Sequence, residues 1–289
     1  MTRNPATRTL ILPVSLEGVP AENLERAAAL LRAGKLVAFP TETVYGLGAD
    51  AMNAEAVKGI FAAKERPYSD PLIVHLPTAE HIFQVAARIP AIVQELARHF
   101  WPGPLTLILP RRPDIPPVVT AGGDTVGVRV PGHPIARALL FAAGVPVAAP
   151  SANRFMHTSP TTAAHVLADL EGRIDCVLDG GPCGVGVEST VLDITISPPR
   201  ILRPGGVTLE ALRTLLPDVQ GPDQRASAET EAAAPAASAR APGQMPRHYA
   251  PHTRLVVFDA QGAPCPGSDH SRGPGSTGAR HARGRAAAR

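Results

Sequence analysis

Apolar residues recur along this chain in two rhythms as far as about residue 216, and the elements follow from them. Residues 21–32 repeat with a helical period and are followed by Gly34, the pattern of an amphipathic helix closed by glycine. Short apolar or alternating runs predict strands at 36–39, 72–76, 105–109, 126–130, 145–149, 176–178, 189–193 and 200–203. Helical patterns fall between them at 54–63, 78–87, 91–99, 134–142, 161–170 and 209–215. Such alternation predicts an α/β or α+β domain around a mixed, twisted sheet. The rhythm stops after Pro217. Residues 221–242 hold almost nothing to bury and read as a linker. A compact island follows, APGQMPRHYAPHTRLVVFD, and then a Gly, Ser, Pro, Arg and Ala tail over 262–289 that cannot pack a core.

Composition narrows this picture in three ways. A chain of 289 residues with 44% hydrophobic residues suits one or two domains with a real core. Its apolar runs all fall short of the roughly 20 residues of a membrane helix, and MTRNPATRTL lacks the apolar stretch of a secretory signal. Cys176, Cys183 and Cys265 are an odd number without metal-type spacing, so the expectation is a reducing, cytoplasmic setting. The pI of about 9.0 rests almost wholly on arginine, with lysine only at Lys35, Lys58 and Lys64. That balance permits an RNA or nucleotide partner without requiring one.

The chemistry concentrates in a few segments. The strand at 36–39 breaks at Pro40 into a predicted turn that presents Thr41, Glu42, Thr43 and Tyr45 and contains Gly46 and Gly48. The next helix ends on Lys64 and Arg66 before Pro67, which pushes its predecessor out of helical conformation. KERPYSDPLIVHL then admits two readings. Either it is a helix end, a turn and a buried strand with a satisfied His75, or Lys64 and Arg66 hold phosphate while His75 orients a substrate. Arg129, flanked by valines in TVGVRVPGHP, needs an anion, whether a substrate carboxylate or a structural partner. WPGPLTLIL reads as a corner anchored by Trp101. VPVAAPSAN offers Ser151 and Asn153 just past a strand end, where open α/β sheets build sites. GVGVESTVLDI supplies Ser189 and Thr190, and RILRPGG ends on Arg203. Walker A, GxGxxG, HExxH and CxxC signatures are all missing, and Pro251 spoils a helical metal face between His248 and His252.

Taken in order, TETVYGLG, KERPYSDPLIVHL, WPGPLTLIL, TVGVRVP, PSAN, GVESTV and ILRPG closely resemble the YrdC-type threonylcarbamoyl-AMP synthases over roughly residues 21–216. The resemblance implies a YrdC-like catalytic domain at 14–216 and a linker at 217–251 that covers the active site. Beyond it, a vestigial remnant at 252–289 would stand for a truncated or frame-shifted second domain. It implies synthesis of threonylcarbamoyl-AMP and pyrophosphate from L-threonine, bicarbonate or CO2, and ATP with Mg2+ of unknown ligands. The product would serve a threonylcarbamoyltransferase complex that makes N6-threonylcarbamoyladenosine at tRNA position 37, with tRNA itself a further candidate partner. By motif match, Thr43, His75, Arg129, Ser151 and Ser189 hold threonine. Lys64, Arg66, Asp70, Thr125, Asn153, Thr161, Arg203 and Tyr249 serve ATP, with Lys64 and Arg66 as the catalytic charges. Asp70 stands where the family commonly has asparagine, an awkward neighbour for phosphate. Two other functions remain open at this point, an RNA-binding module without catalysis and a carbamoyltransferase-type relative.

Overall fold

Alternation along each strand sends successive side chains to opposite faces of a sheet, and that simple rule sorts this molecule into layers. The computed structural model describes residues 8–15 and 21–222. In chain order these form β1 (Leu10–Pro13), α1 (Ala21–Arg32), β2 (Val37–Phe39), β3 (Gly46–Asp50), α2 (Ala54–Lys64) and β4 (Ile73–His75). Then come α3 (Ile92–Phe100), β5 (Leu105–Pro110), β6 (Thr125–Arg129), α4 (Pro134–Ala143) and β7 (Val147–Ala148). The series closes with α5 (Ala163–Leu170), β8 (Cys176–Asp179), β9 (Thr190–Asp193), β10 (Arg200–Arg203) and α6 (Leu209–Arg213). Short 3-10 helices lie at Ala79–Gln84 and Pro117–Thr120.

The strands make one mixed sheet in the order β1-β8-β2-β3-β7-β4-β6-β5-β9-β10. Pairing is parallel at β1/β8, β2/β8, β4/β6 and β5/β9, and antiparallel at the other junctions. One face is covered along most of its width. Ile60 and Phe61 of α2, Leu96 of α3, Val166 and Leu170 of α5 and Leu212 of α6 join Val74, Leu107 and Val128 there. The other face is covered in its β1–β7 half by α1 and α4, through Ala27, Leu31, Ile135 and Leu139 packed on Val37, Phe39 and Val147. Over β4, β5 and β9, the apolar cluster on that face shrinks to Ile73, Ile108 and Val191, with Leu202 beside them. Strand register puts His75 opposite Arg129 at the edge of this patch. The site lies there, beside the α1/α4 layer.

Several expectations need correction. The segment at Gly46 and Gly48 is a strand, not a turn. Its glycines answer a packing demand: a Cβ on Gly48 would sit 2.9 Å from both Phe39 and Val147. Tyr45, expected on that turn, is wholly buried, and its hydroxyl donates to the Gly181 carbonyl at 2.7 Å. The helix expected at 78–87 is a 3-10 helix, and β1 carried too short a pattern to be read. The predicted linker and tail lie outside the described residues, apart from the first few of the linker. Cys176 and Cys183 are free thiols. Among the described residues no helix is long and apolar enough to cross a membrane.

Candidate active site

Helix α2 delivers the first two cations. Asn53 caps its start by accepting from the Glu55 and Ala56 amides, and Glu65 ends it in the left-handed conformation at φ 55°. That turn throws Glu65 outward to Arg154 and Arg173 and leaves Lys64 and Arg66 facing inward. Lys64 is 1% exposed, and its Nζ donates to the Ser151 and Asn153 carbonyls, each at 2.5 Å. Burial, then the neighbouring Arg66, holds its ammonium well below the usual lysine range. Arg66 donates from Nε to the Asp70 carbonyl at 3.2 Å and from Nη2 to the Pro71 carbonyl at 2.9 Å. Asp70 Oδ2 lies 2.9 Å from Arg66 Nη2, yet no donor meets either Asp70 carboxylate oxygen with hydrogen-bond geometry. Burial raises the Asp70 carboxyl against the pull of Arg66 and lowers Arg66 to about 10.

Strands β4 and β6 deliver the second group. Arg129 is buried and donates from Nη2 to Glu42 Oε1 at 2.6 Å and to Thr43 Oγ1 at 3.1 Å, and from Nε to the Gly103 carbonyl at 3.2 Å. Thr41 braces Thr43 by a 2.8 Å hydroxyl contact. His75, edge-on to Phe39, is pushed down to about 3 by burial and then by Arg129, so its ring is neutral near pH 7. Its Nδ1 is buried with no partner. The ring is bonded to the Ile73 backbone, so His75 is part satisfied core histidine, with Nδ1 left as an atom suited to a ligand. Ser189 shares a 2.8 Å hydroxyl contact with Thr106 and accepts from Arg203 Nη2 at 3.0 Å. Burial, above all, lowers Arg203.

Of the expected site residues, Thr43, Arg66, His75, Arg129, Ser151, Ser189 and Arg203 line one cleft. Lys64 stands behind it, holding the Ser151–Asn153 loop, and Asp70 is tied to Arg66. Asn153 fastens the same loop by donating to the Arg154 and His157 carbonyls at 2.7 and 2.8 Å, with Oδ1 buried and unpartnered. Thr125 begins β6 opposite Pro110, at the far end of the strand from Arg129. Thr161 contacts His165 at 3.4 Å, and neither threonine lines the cleft. Tyr249 lies outside the described residues.

Two carboxylates were given no site role by the sequence reading, although Glu42 was among the residues presented by the predicted turn. Glu42 pairs with Arg129, and its Oε2 is buried without a partner. Glu188 lines the cleft and accepts from Ser159 Oγ at 2.7 Å. Both sit in quoted motifs, TETVYGLG and GVESTV. The signal available was an acidic residue placed among hydroxyls and next to strands that carry arginines. The cleft's free volume is only about 40 Å3, and two of its arginines, Arg66 and Arg129, are paired with the protein's own carboxylates.

This constellation has close relatives. The telomere recombination family model matches residues 29–205, and the model for the threonylcarbamoyl-AMP synthase C-terminal domain matches residues 207–274. A threonylcarbamoyl-AMP synthase of Pyrococcus abyssi is 45% identical over 251 residues, covering 87% of this chain and 72% of its own. This chain belongs to the threonylcarbamoyl-AMP synthase family. It is therefore an enzyme, a transferase that makes an adenylate. Another synthase of the family, from Bacillus subtilis, is 47% identical over 82% of this chain, which spans 66% of that relative's length. The crystal structure of Pyrococcus abyssi Sua5 complexed with L-threonine superposes with a TM-score of 0.80 at 45% identity, over 87% of this chain and 72% of that one. Membership in the synthase family sets aside both the carbamoyltransferase reading and that of a non-catalytic RNA-binding module.

Proposed function

We propose that the cleft binds L-threonine and ATP together and joins them, through CO2 or bicarbonate, into threonylcarbamoyl-AMP and pyrophosphate. The observation that carries the threonine half is Arg129. It is a buried guanidinium held from Nη2 and Nε, with no bond from Nη1 among the described residues, and Thr43, unpartnered His75 Nδ1 and Ser189 stand around it. The relative solved with L-threonine supports the same choice of ligand. Neutral His75 adds hydrogen bonding without a second charge beside Arg129.

The ATP half rests on the cluster of Lys64, Arg66 and Arg203. Each is lowered by burial, and Lys64 and Arg66 each by a neighbouring cation in the cluster too. Cations held together out of water gain most from a polyanion. Lys64 spends two of its three N–H groups on the Ser151 and Asn153 carbonyls and keeps one for phosphate. The chemistry asks for no covalent nucleophile from the protein. The threonine amine takes up CO2 as a carbamate, a carbamate oxygen attacks the α-phosphorus, and pyrophosphate leaves with the bond's electron pair. Positioning and charge stabilisation are what these residues supply. Thr125, Asn153, Thr161 and Tyr249 remain proposed ATP contacts on the resemblance alone.

Mg2+ would come with the triphosphate. Among the described residues no group of three or more His, Cys, Asp or Glu could hold a metal ion, and Glu42 and Asp70 are taken by arginines. The described residues offer no preformed cage, so phosphate and water oxygens would hold the ion. The product, a mixed anhydride, suits a tRNA-modifying threonylcarbamoyltransferase complex as its consumer. Pyrophosphate release tests the reading. It should require ATP, L-threonine and bicarbonate together, and ATP turnover indifferent to threonine would overturn it.

A further inference from the structure

A larger cavity lies behind the threonine site. It measures about 640 Å3 and opens between the 3-10 helix Ala79–Gln84, α3 and α4. Its apolar wall includes Ile82, Val93, Ala97, Trp101 and Val130, and Arg137 of α4 enters it. Two features of this space are unfavourable as they stand. Apolar side chains around so large an open space face water in place of packed neighbours. The buried Nε of Arg137 has no hydrogen-bond partner, an arrangement that proteins seldom leave uncompensated. Two other charged residues, Arg98 and Glu80, line the cavity, and neither is hydrogen-bonded to Arg137 Nε. Arg98 pairs with Glu95 at 2.8 Å on the surface, and Glu80 is fully exposed, its carboxylate kept ionised by a hydrogen bond from Thr78. A volume of this size is that of a small-molecule pocket.

The cavity also touches the machinery of the threonine site. Trp101 and Pro102 form part of its wall. The next residue, Gly103, accepts from Arg129 Nε at 3.2 Å and donates to the Val130 carbonyl at 2.8 Å. A Cβ on Gly132 would lie 3.5 Å from the Pro102 carbonyl and 3.6 Å from the Glu42 carboxyl carbon. The same turn thus backs both members of the Arg129–Glu42 pair.

We propose that this cavity is a second small-molecule site, which takes an amphipathic monocarboxylate with its charge on Arg137 and its apolar body against Trp101, and which is coupled to the threonine site through Gly103. The binding claim stands on the cavity alone. The coupling claim rests on the assignment of threonine to Arg129.

Trp101 is the chain's sole tryptophan, so its emission reads occupancy directly. The experiment titrates the full-length protein with 4-phenylbutyrate and, in parallel, with the neutral 4-phenylbutyramide. A saturable change with the carboxylate is expected. Binding should weaken roughly tenfold or more for the amide and for Arg137→Gln, the loss of a hydrogen bond to a charged group. No saturable change, or equal affinity in Arg137→Gln, overturns the site. Arg137→Gln should still bind threonine as the parent does, which separates a lost site from a misfolded protein. A calorimetric threonine titration at saturating 4-phenylbutyrate then tests the coupling. Threonine affinity should shift by the same factor by which threonine shifts phenylbutyrate affinity. An unchanged threonine affinity, with phenylbutyrate bound, overturns the link through Gly103 and leaves the site.

Discussion

Burial takes His75 out of the range in which histidine usually titrates. Its folded-state value, near 3, lies below the ordinary 6.5, so between those values the unfolded chain binds a proton that the folded chain refuses. Stability contributed by neutral His75 is therefore complete above about pH 6.5 and is lost as pH falls toward 3. The greatest slope from one group is about 1.4 kcal/mol per pH unit. His133 is lowered too, so the comparison must be with His75→Gln. Urea melts between pH 7 and pH 5 should fall more steeply for the parent than for that variant, and parallel profiles would contradict the assignment. Glu42 gives a second expectation at this scale. It supplies the counter-charge to a buried arginine, and removing one partner of such a pair costs several kcal/mol, about 3–5 where both are fully buried. Glu42→Gln should lower the melting temperature, and saturating L-threonine, bringing its own carboxylate, should raise it by more than it raises the parent's. Equal shifts would show that Arg129 does not exchange one carboxylate for another.

At the scale of elements, β3 shows where sequence patterns mislead. Gly46 and Gly48 read as a turn because glycine is the usual turn residue. Their place is inside the sheet, between β2 and β7, where Phe39 and Val147 leave no room for a Cβ on Gly48. Gly48→Ala should therefore destabilise by about 1–3 kcal/mol through overpacking. Gly46→Ala, whose Cβ would meet Ala149 at 3.4 Å, should cost less. Urea unfolding of the two variants decides the matter, and equal costs would mean that neighbouring side chains give way freely. The other central strands were legible because valine, isoleucine and leucine alternate with exceptions that mean something. Arg129 between valines and His75 after Val74 are polar residues on core strands, and both point into the site. β1 and the 3-10 helix at Pro117–Thr120 were missed because four residues carry too little periodicity.

Across the whole molecule, seven of the residues named from the sequence line one cleft. The cleft collects residues from segments as far apart as Thr43 and Arg203, and the order of the motifs marked them as one set. Glu42 and Glu188 were passed over because an anion-binding site argues for cations, whereas burying arginines together requires counter-charges nearby. Asp70 is the same lesson in reverse. Expected to be an awkward neighbour of phosphate, it is the ion-pair partner of Arg66. Lys64 was read as a phosphate ligand, and its geometry adds the role of pinning the loop that carries Ser151 and Asn153. Every part of this account converges on threonine's carboxylate at Arg129. Calorimetric titration of L-threonine into the parent and into Arg129→Ala tests it most directly. Threonine affinity should fall roughly 10- to 100-fold, the worth of hydrogen bonds between charged groups, while ATP affinity changes little. Unaltered threonine affinity in a folded Arg129→Ala protein would make the arginine structural and contradict the account.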